Sequence, residues 1–343
     1  MHTTKKHIAL LSIVGLACIA FFFIDISFGS VSIPFKDVFQ SLTGGEASKS
    51  SWQYIIVNYR LPKALTALAA GMALSVSGLL MQTLFRNPLA GPDVLGLSSG
   101  ASLGVALILL GSGLLPVTLA GYFTSGYGLV LASVLGSFIV LLAVLAVAQK
   151  LRDTMALLIT GIMFSSFTGA IVGMLSYFST AQQLQKYTFW ALGSLGNLTW
   201  QNIAILFFIT LFGLILSIIC IKPLDALLLG ERYANSMGIN IKRTRFTIIA
   251  ATSLLTGCIT AFAGPIAFVG LVVPHIARLI LKTSSHKILF CGTLLCGMVL
   301  MLVCDLLTQL PGNNMVLPVN AVTSLIGAPI VVWLLWRNNR IMN

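Results

Sequence analysis

Charge is scarce in this chain: Asp, Glu, Lys and Arg make up 8% of its 343 residues, and only eight side chains are acidic. So few polar groups cannot cover a soluble globule of that length, so lipid must solvate most of the surface. A phosphate-cradling G-x-x-x-x-G-K-[ST] loop is missing, which excludes ATP hydrolysis by the chain itself. The segment Leu97-Ser-Ser-Gly-Ala101 only faintly suggests an ATPase signature and, inside an apolar run, reads as helix packing. No H-E-x-x-H pattern occurs, and His275 has neither a histidine four residues on nor a nearby cysteine. Ser–His and paired-carboxylate arrangements are lacking too, so the chain does not read as an enzyme. The six cysteines (18, 220, 258, 291, 296 and 304) lack C-x-x-C spacing and read as small buried hydrophobes rather than metal ligands or disulfides.

Intramembrane carboxylates, each costing about 2.5 to 3.5 kcal/mol at the bilayer centre, are equally sparse. Asp25, Asp37, Glu46, Asp93, Asp153, Asp225 and Glu231 fall at the ends of apolar runs or in loops, leaving Asp305 as the one candidate, near an outer end. A single carboxylate gives thin support to an ion-coupled secondary transporter, which stays as the alternative. Its plainer reading is an interhelical hydrogen bond.

What the chain has in abundance is apolar sequence, 57% of all residues. With no water in the hydrocarbon, only helices and closed barrels can satisfy the backbone. The apolar runs are about 20 residues long and lack the in-out alternation of barrel strands. The fold class is therefore an all-α membrane protein, a polytopic bundle of about ten transmembrane helices. The spans fall at 8–28, 62–84, 94–114, 125–148, 154–178, 201–221, 246–263, 265–281, 288–308 and 319–336. Lys5 and Lys6 before the first run resemble a secretory signal, but no small-residue cleavage site follows in 25–30, so an uncleaved first span is expected.

The net charge of +12 is explained by its placement rather than by a nucleic-acid partner. With the N-terminus inside, 15 of the 20 basic residues face the cytoplasm, and only Lys36, Lys49, Arg60, Lys63 and Lys186 fall outside. That asymmetry follows the positive-inside rule and puts both termini in the cytoplasm. Residues 1–343 then form one transmembrane domain with an external segment at 29–60 and a cytoplasmic segment at 222–245. In the latter, Pro223 should break the preceding helix. Leu227, Leu228, Ala234 and Met237 recur at helical spacing with Glu231, Arg232 and Asn235 on polar faces, and Gly238 is a natural stop. A short amphipathic helix is expected there. It is either a docking surface for a cytoplasmic partner or a structured turn at the membrane interface. Gly96, Gly100 and Gly104 form G-x-x-x-G-x-x-x-G, a close-packing stripe. Gly264-Pro265 and Pro274 mark a broken or kinked span.

A series of colinear strings carries a resemblance. Arg60-Leu-Pro-Lys-Ala-Leu65, Gly71-Met-Ala-Leu-Ser-Val-Ser-Gly78, Gln82-Thr-Leu-Phe-Arg-Asn-Pro-Leu-Ala90, Pro92-Asp-Val-Leu-Gly-Leu-Ser-Ser-Gly-Ala101, Trp190-Ala-Leu-Gly-Ser-Leu195, Leu229-Gly-Glu-Arg-Tyr-Ala-Asn-Ser-Met-Gly238, the run 263–278 and the run 317–329 resemble the FecCD-like permeases. Those are the membrane subunits of bacterial ABC importers for ferric siderophores, haem and vitamin B12. The resemblance implies a ten-span permease in the cytoplasmic (inner) membrane, paired with a second permease subunit as a homodimer or pseudo-homodimer. Two cytoplasmic ABC ATPases would bind ATP and Mg, with no cofactor on this chain. An extracytoplasmic substrate-binding protein would deliver the substrate. By the same resemblance Asp225, Leu229, Gly230, Glu231, Ala234, Met237 and Gly238 align with the ATPase-coupling helices. Arg60 and Lys63 match the basic positions at the external mouth that meet acidic residues of the binding protein. Arg152, Asp153 and Thr154 fall at the expected cytoplasmic gate. Lys63 stands where the family commonly has a second Arg, Asn320 where it commonly has Gly, and Asn313 and Asn314 where some members carry a basic residue.

Overall fold

The computed structural model describes residues 2–29, 31–114, 126–150, 154–196, 198–310 and 316–339. Arg152, Asp153, Asn313 and Asn314 lie outside these. Each of the ten apolar runs contains a helix: α1 (His2–Ser27), α4 (Leu61–Leu84), α5 (Leu97–Leu109), α6 (Gly126–Lys150), α7 (Thr154–Tyr177), α9 (Trp200–Ile219), α12 (Ile241–Ala263), α13 (Val269–Leu281), α14 (His286–Thr308) and α15 (Val319–Asn339). Shorter helices fill the connections: α2 (Phe35–Leu42), α3 (Ser50–Ile55), α8 (Ala181–Ala191), α10 (Ile221–Leu229) and α11 (Glu231–Ser236). No strand occurs among the described residues.

The chain divides into two compact units, one of Met1–Ser75, Ser194–Phe208 and Ile266–Asn343, the other of Val76–Gly193 and Ile209–Pro265. In the first, α14 packs against α1, α13 and α15. In the second, α6 packs along α5 and α12, and α5 also meets α7.

Two spans are shorter than their apolar runs. α5 and α13 have 13 residues each, about 20 Å at 1.5 Å per residue, against a core of about 30 Å. The run at 94–114 opens instead with a 3-10 turn, Pro92–Leu95, and a left-handed Gly96. Gly96 is thus the residue before α5 rather than part of its packing face. Gly100 and Gly104 do lie on that face, and their partner is a glycine that the spacing did not single out. A Cβ on Gly136 of α6 would come within 2.1 Å of the Gly100 carbonyl oxygen, and one on Gly104 within 2.0 Å of the Ala132 carbonyl. The two backbones touch where any side chain would hold them apart.

In the run at 265–281, residues 264–268 are not helical and α13 starts only after a left-handed Phe268. The Asn320 side-chain oxygen accepts from the Ala267 N–H at 3.1 Å, giving the broken backbone a partner that glycine could not supply. Five of the six cysteines are buried; Cys291, expected to be buried as well, is exposed on α14.

Candidate functional site

The segment expected to carry one amphipathic helix carries two. α9 ends at Ile219 and α10 begins at Ile221, so the break falls at Cys220 rather than at Pro223. Pro223 occupies the first turn of α10, where its missing N–H costs no intrahelical bond. Between α10 and α11 stands Gly230 at φ 119, ψ 148, a conformation that an L side chain rarely adopts. α11 ends as its sequence foretells. Gly238 is left-handed at φ 81, its N–H donates to the Asn235 carbonyl at 3.0 Å, and the Ile239 N–H donates to the Ala234 carbonyl at 3.1 Å. This paired closure satisfies two carbonyls that would otherwise be orphaned.

Across the Gly230 joint, Leu229, Tyr233 and Met237 stand out from the protein, 66%, 53% and 59% exposed. On the inner side Leu224, Ala226, Leu227 and Ala234 are buried and anchor both helices. Leu229 and Met237 were legible as candidates. Tyr233, exposed between them in the chain, was not singled out, and Ala234 is buried rather than exposed.

Two arginines brace the segment from inside the same unit. Arg86, in the turn after α4, donates to the Leu227 carbonyl at 2.9 Å, a second donor to an oxygen that already accepts the Gly230 N–H at 3.2 Å. Arg245, largely buried on α12, pairs with Glu231 at 3.2 Å, which ties the start of α11 down. Glu231 in the first turn of α11 also faces the positive end of that helix. Asp225 lies half-buried on α10.

A second constellation gathers at the outer ends of α1, α4 and α14, in the other unit. A short π-helical turn, Ile56–Arg60, precedes α4. From it the Arg60 guanidinium donates to the carbonyls of Ile26 at 2.7 Å and Ser27 at 2.8 Å, and to that of Val31. It closes the carbonyl end of α1. One turn on, Lys63 Nζ is 2.8 Å from Asp305 Oδ1, a pair whose side chains are 20% and 1% exposed. The Gln309 amide adds to it, accepting from Lys63 Nζ at 3.1 Å and donating to the Phe28 carbonyl at 3.2 Å. Asp25 is buried close by, and its Oδ1 and the Asp305 Oδ2 are both buried without a hydrogen-bond partner among the described residues.

The structure adds detail to three expectations. Asp25 lies at the end of its apolar run and is buried there, in the last turn of α1. Asp305 makes its interhelical hydrogen bond as a buried ion pair with Lys63. Arg60 and Lys63, expected to reach outward to a partner, are both engaged within the chain. Of the gate candidates, Arg152 and Asp153 are outside the described residues and Thr154 is the first residue of α7. No group of three or more metal-ligating side chains occurs among the described residues.

A helical bundle of apolar spans defines a polytopic membrane protein. The chain belongs to the FecCD transport family, whose profile matches residues 17–337. It is 35% identical over 314 residues to a hemin transport system permease protein of Yersinia pestis, covering 90% of each chain. A vitamin B12 import system permease protein of Salmonella typhimurium is 35% identical over 303 residues, covering 88% of this chain and 89% of the other. A solved metal-chelate type ABC transporter in an inward-facing conformation matches with a TM-score of 0.77 and 28% identity, over 96% of this chain and 99% of that one.

Proposed function

We propose that this chain is the membrane-spanning subunit of a binding-protein-dependent ABC importer, and that its cargo is an iron chelate (a ferric siderophore or haem) or cobalamin. The observation that carries the mechanism is the Leu229–Tyr233–Met237 face. It is apolar, exposed, and held on two helices whose backs are pinned by Arg86 and Arg245. A rigid aromatic and aliphatic face of this kind suits a groove on a cytoplasmic ATPase, with Tyr233 as central anchor. Closure of an ATPase pair around ATP and Mg would displace α10 and α11, and the bundle would pass the motion on as a shear or hinge change. Arg152 and Asp153, with Thr154 at the start of α7, remain the proposed cytoplasmic gate.

In this reading two permease subunits pair in the bacterial inner membrane, and the binding protein docks outside. Arg60 and Lys63 shape the mouth it meets by fixing the outer ends of α1, α4 and α14. Family membership sets aside the ion-coupled carrier, and the Lys63–Asp305 pair gives Asp305 a fixed structural partner in place of a transported ion.

The test is reconstitution of the chain in proteoliposomes with candidate ATPase and binding-protein subunits. Uptake of a haem, ferric siderophore or cobalamin should require ATP, and Tyr233→Glu should abolish both uptake and copurification of the ATPase while the chain keeps its thermal stability. Uptake that ignores ATP and collapses with the ion gradient would overturn the reading.

A further inference from the structure

The external segment holds a helix with three distinct faces. In α2, Asp37, Val38 and Ser41 are buried against the protein, Lys36 and Gln40 form a polar side, and Phe35 and Phe39 are 56% and 53% exposed. A helix needs only two faces to sit on a soluble surface, one inward and one to water. The third, aromatic face of α2 requires another neighbour.

The helix is held firmly in this orientation. Asp37 Oδ1 accepts from the Ser48 N–H at 2.7 Å and from the Ser48 hydroxyl at 2.5 Å. The Ser41 hydroxyl donates to Gln53 Oε1 at 2.6 Å, which also accepts from the Ala47 N–H at 3.2 Å. These bonds hold the Asp37 carboxyl below the usual carboxylate range. Phe35 and Phe39 therefore cannot roll inward.

Their position gives the depth. The Phe23 ring, in the next-to-last turn of α1, lies 5.3 Å from Phe35 and 6.5 Å from Phe39. α1 is a span whose exposed apolar side chains, Ile8, Ile13, Leu16, Ile19 and Ile24, are those of a lipid-facing helix. Phe28, Val31, Phe35 and Phe39 add further exposed apolar side chains just after the point where α1 leaves the hydrocarbon. Aromatic side chains are enriched at that level.

We infer that α2 is an interfacial helix: Phe35 and Phe39 insert into the outer leaflet beside α1, while Lys36 and Gln40 face the headgroups and water. The partner is the lipid surface itself. Burial of two phenyl rings there would fix the height of the external segment against the bilayer, and with it the height of Arg60. The inference rests on the outside location of residues 29–60 in the proposed topology.

The experiment uses the full chain with Cys291→Ser, reconstituted in sealed vesicles of phosphatidylethanolamine and phosphatidylglycerol. Lys36→Cys, Gln40→Cys, Phe35→Cys and Phe39→Cys are each treated with a membrane-impermeant maleimide and, separately, labelled with bimane and quenched by lipid carrying a nitroxide near the headgroup. The phenylalanine sites should react about tenfold more slowly than Lys36→Cys and Gln40→Cys and be quenched by the lipid, because a side chain sunk in the interface must leave it to react. Phe39→Trp, which keeps the ring, should be quenched by brominated lipid. Fast reaction and no quenching at all four sites overturns the inference. So does protection that appears only when the binding protein is added, since a protein would then be the cover. Reaction of Lys36→Cys and Gln40→Cys only after the vesicles are opened is the separate failure, that of the topology.

Discussion

The face on α10 and α11 and the constellation at Arg60, Lys63 and Asp305 use the same side chain for the same local task and to different ends. In both, an arginine from a distant turn reaches carbonyls in the last turn of a helix: Arg86 to Leu227 on α10, Arg60 to Ile26 and Ser27 on α1. On the cytoplasmic side the polar bonds lie behind, and an apolar face is offered outward. On the outer side the charges themselves are turned inward, Lys63 onto Asp305 with Asp25 beside it. One region spends its polar groups on presenting a surface, the other on holding three helix ends together. The five basic residues that break the inside bias become less anomalous for this reason, since two of them have partners inside the protein.

The contrast can be broken most strongly at the outer site. Lys63→Met leaves buried carboxylates without their cation, and truncating one partner of a buried pair costs about 3–5 kcal/mol. The chain should lose most of its folded yield in size-exclusion profiles, whereas Lys63→Arg, which keeps the charge, should retain it. Near-normal stability of Lys63→Met would mean the pair does not hold the helices. Next in size is Tyr233→Ala, expected to weaken ATPase binding by about 2 kcal/mol, the scale of an interface anchor, with no change in the melting temperature of the isolated chain. Arg86→Ala should do the reverse. Loss of one charge-assisted, partly buried hydrogen bond should lower chain stability by about 1 kcal/mol and affect ATPase binding only through it. If both variants moved the same readout, the division between face and brace would fail. The smallest effect belongs to Glu231→Gln. Its pair with Arg245 is 40% exposed on the glutamate side and screened by solvent, so thermal stability should fall by about 0.5 kcal/mol, most visibly at low salt.

Much of this architecture was written in the hydropathy, because a bilayer demands long apolar helices and tolerates little else. Charge asymmetry supplied the expected orientation, and Gly238 supplied the end of α11 because the closing conformation selects glycine. Gly230 carried a similar signal that went unused: a glycine inside an apolar helical run, followed at once by an acidic residue, marks one helix ending and another beginning. Pro223 misled because proline is a breaker inside a helix and harmless in its first turn. The pairings were beyond reach for a different reason. Arg86 and Leu227 are 141 residues apart. Asp25 sat at the end of an apolar run, where water would ordinarily be its neighbour. Only the tertiary arrangement puts a second carboxylate and an ammonium there instead.

The Gly230 joint has a mechanical meaning. α10 and α11 are fastened separately, the first by Arg86 to the turn after α4, the second by Arg245 to α12, and the single residue between them is a glycine in a conformation that an L side chain rarely adopts. A push delivered at Leu229, Tyr233 and Met237 is therefore not received by one rod. Under the proposed coupling role it would be divided at Gly230, one share entering the turn that leads to α5 and the other the start of α12, so a single stroke would become two displacements.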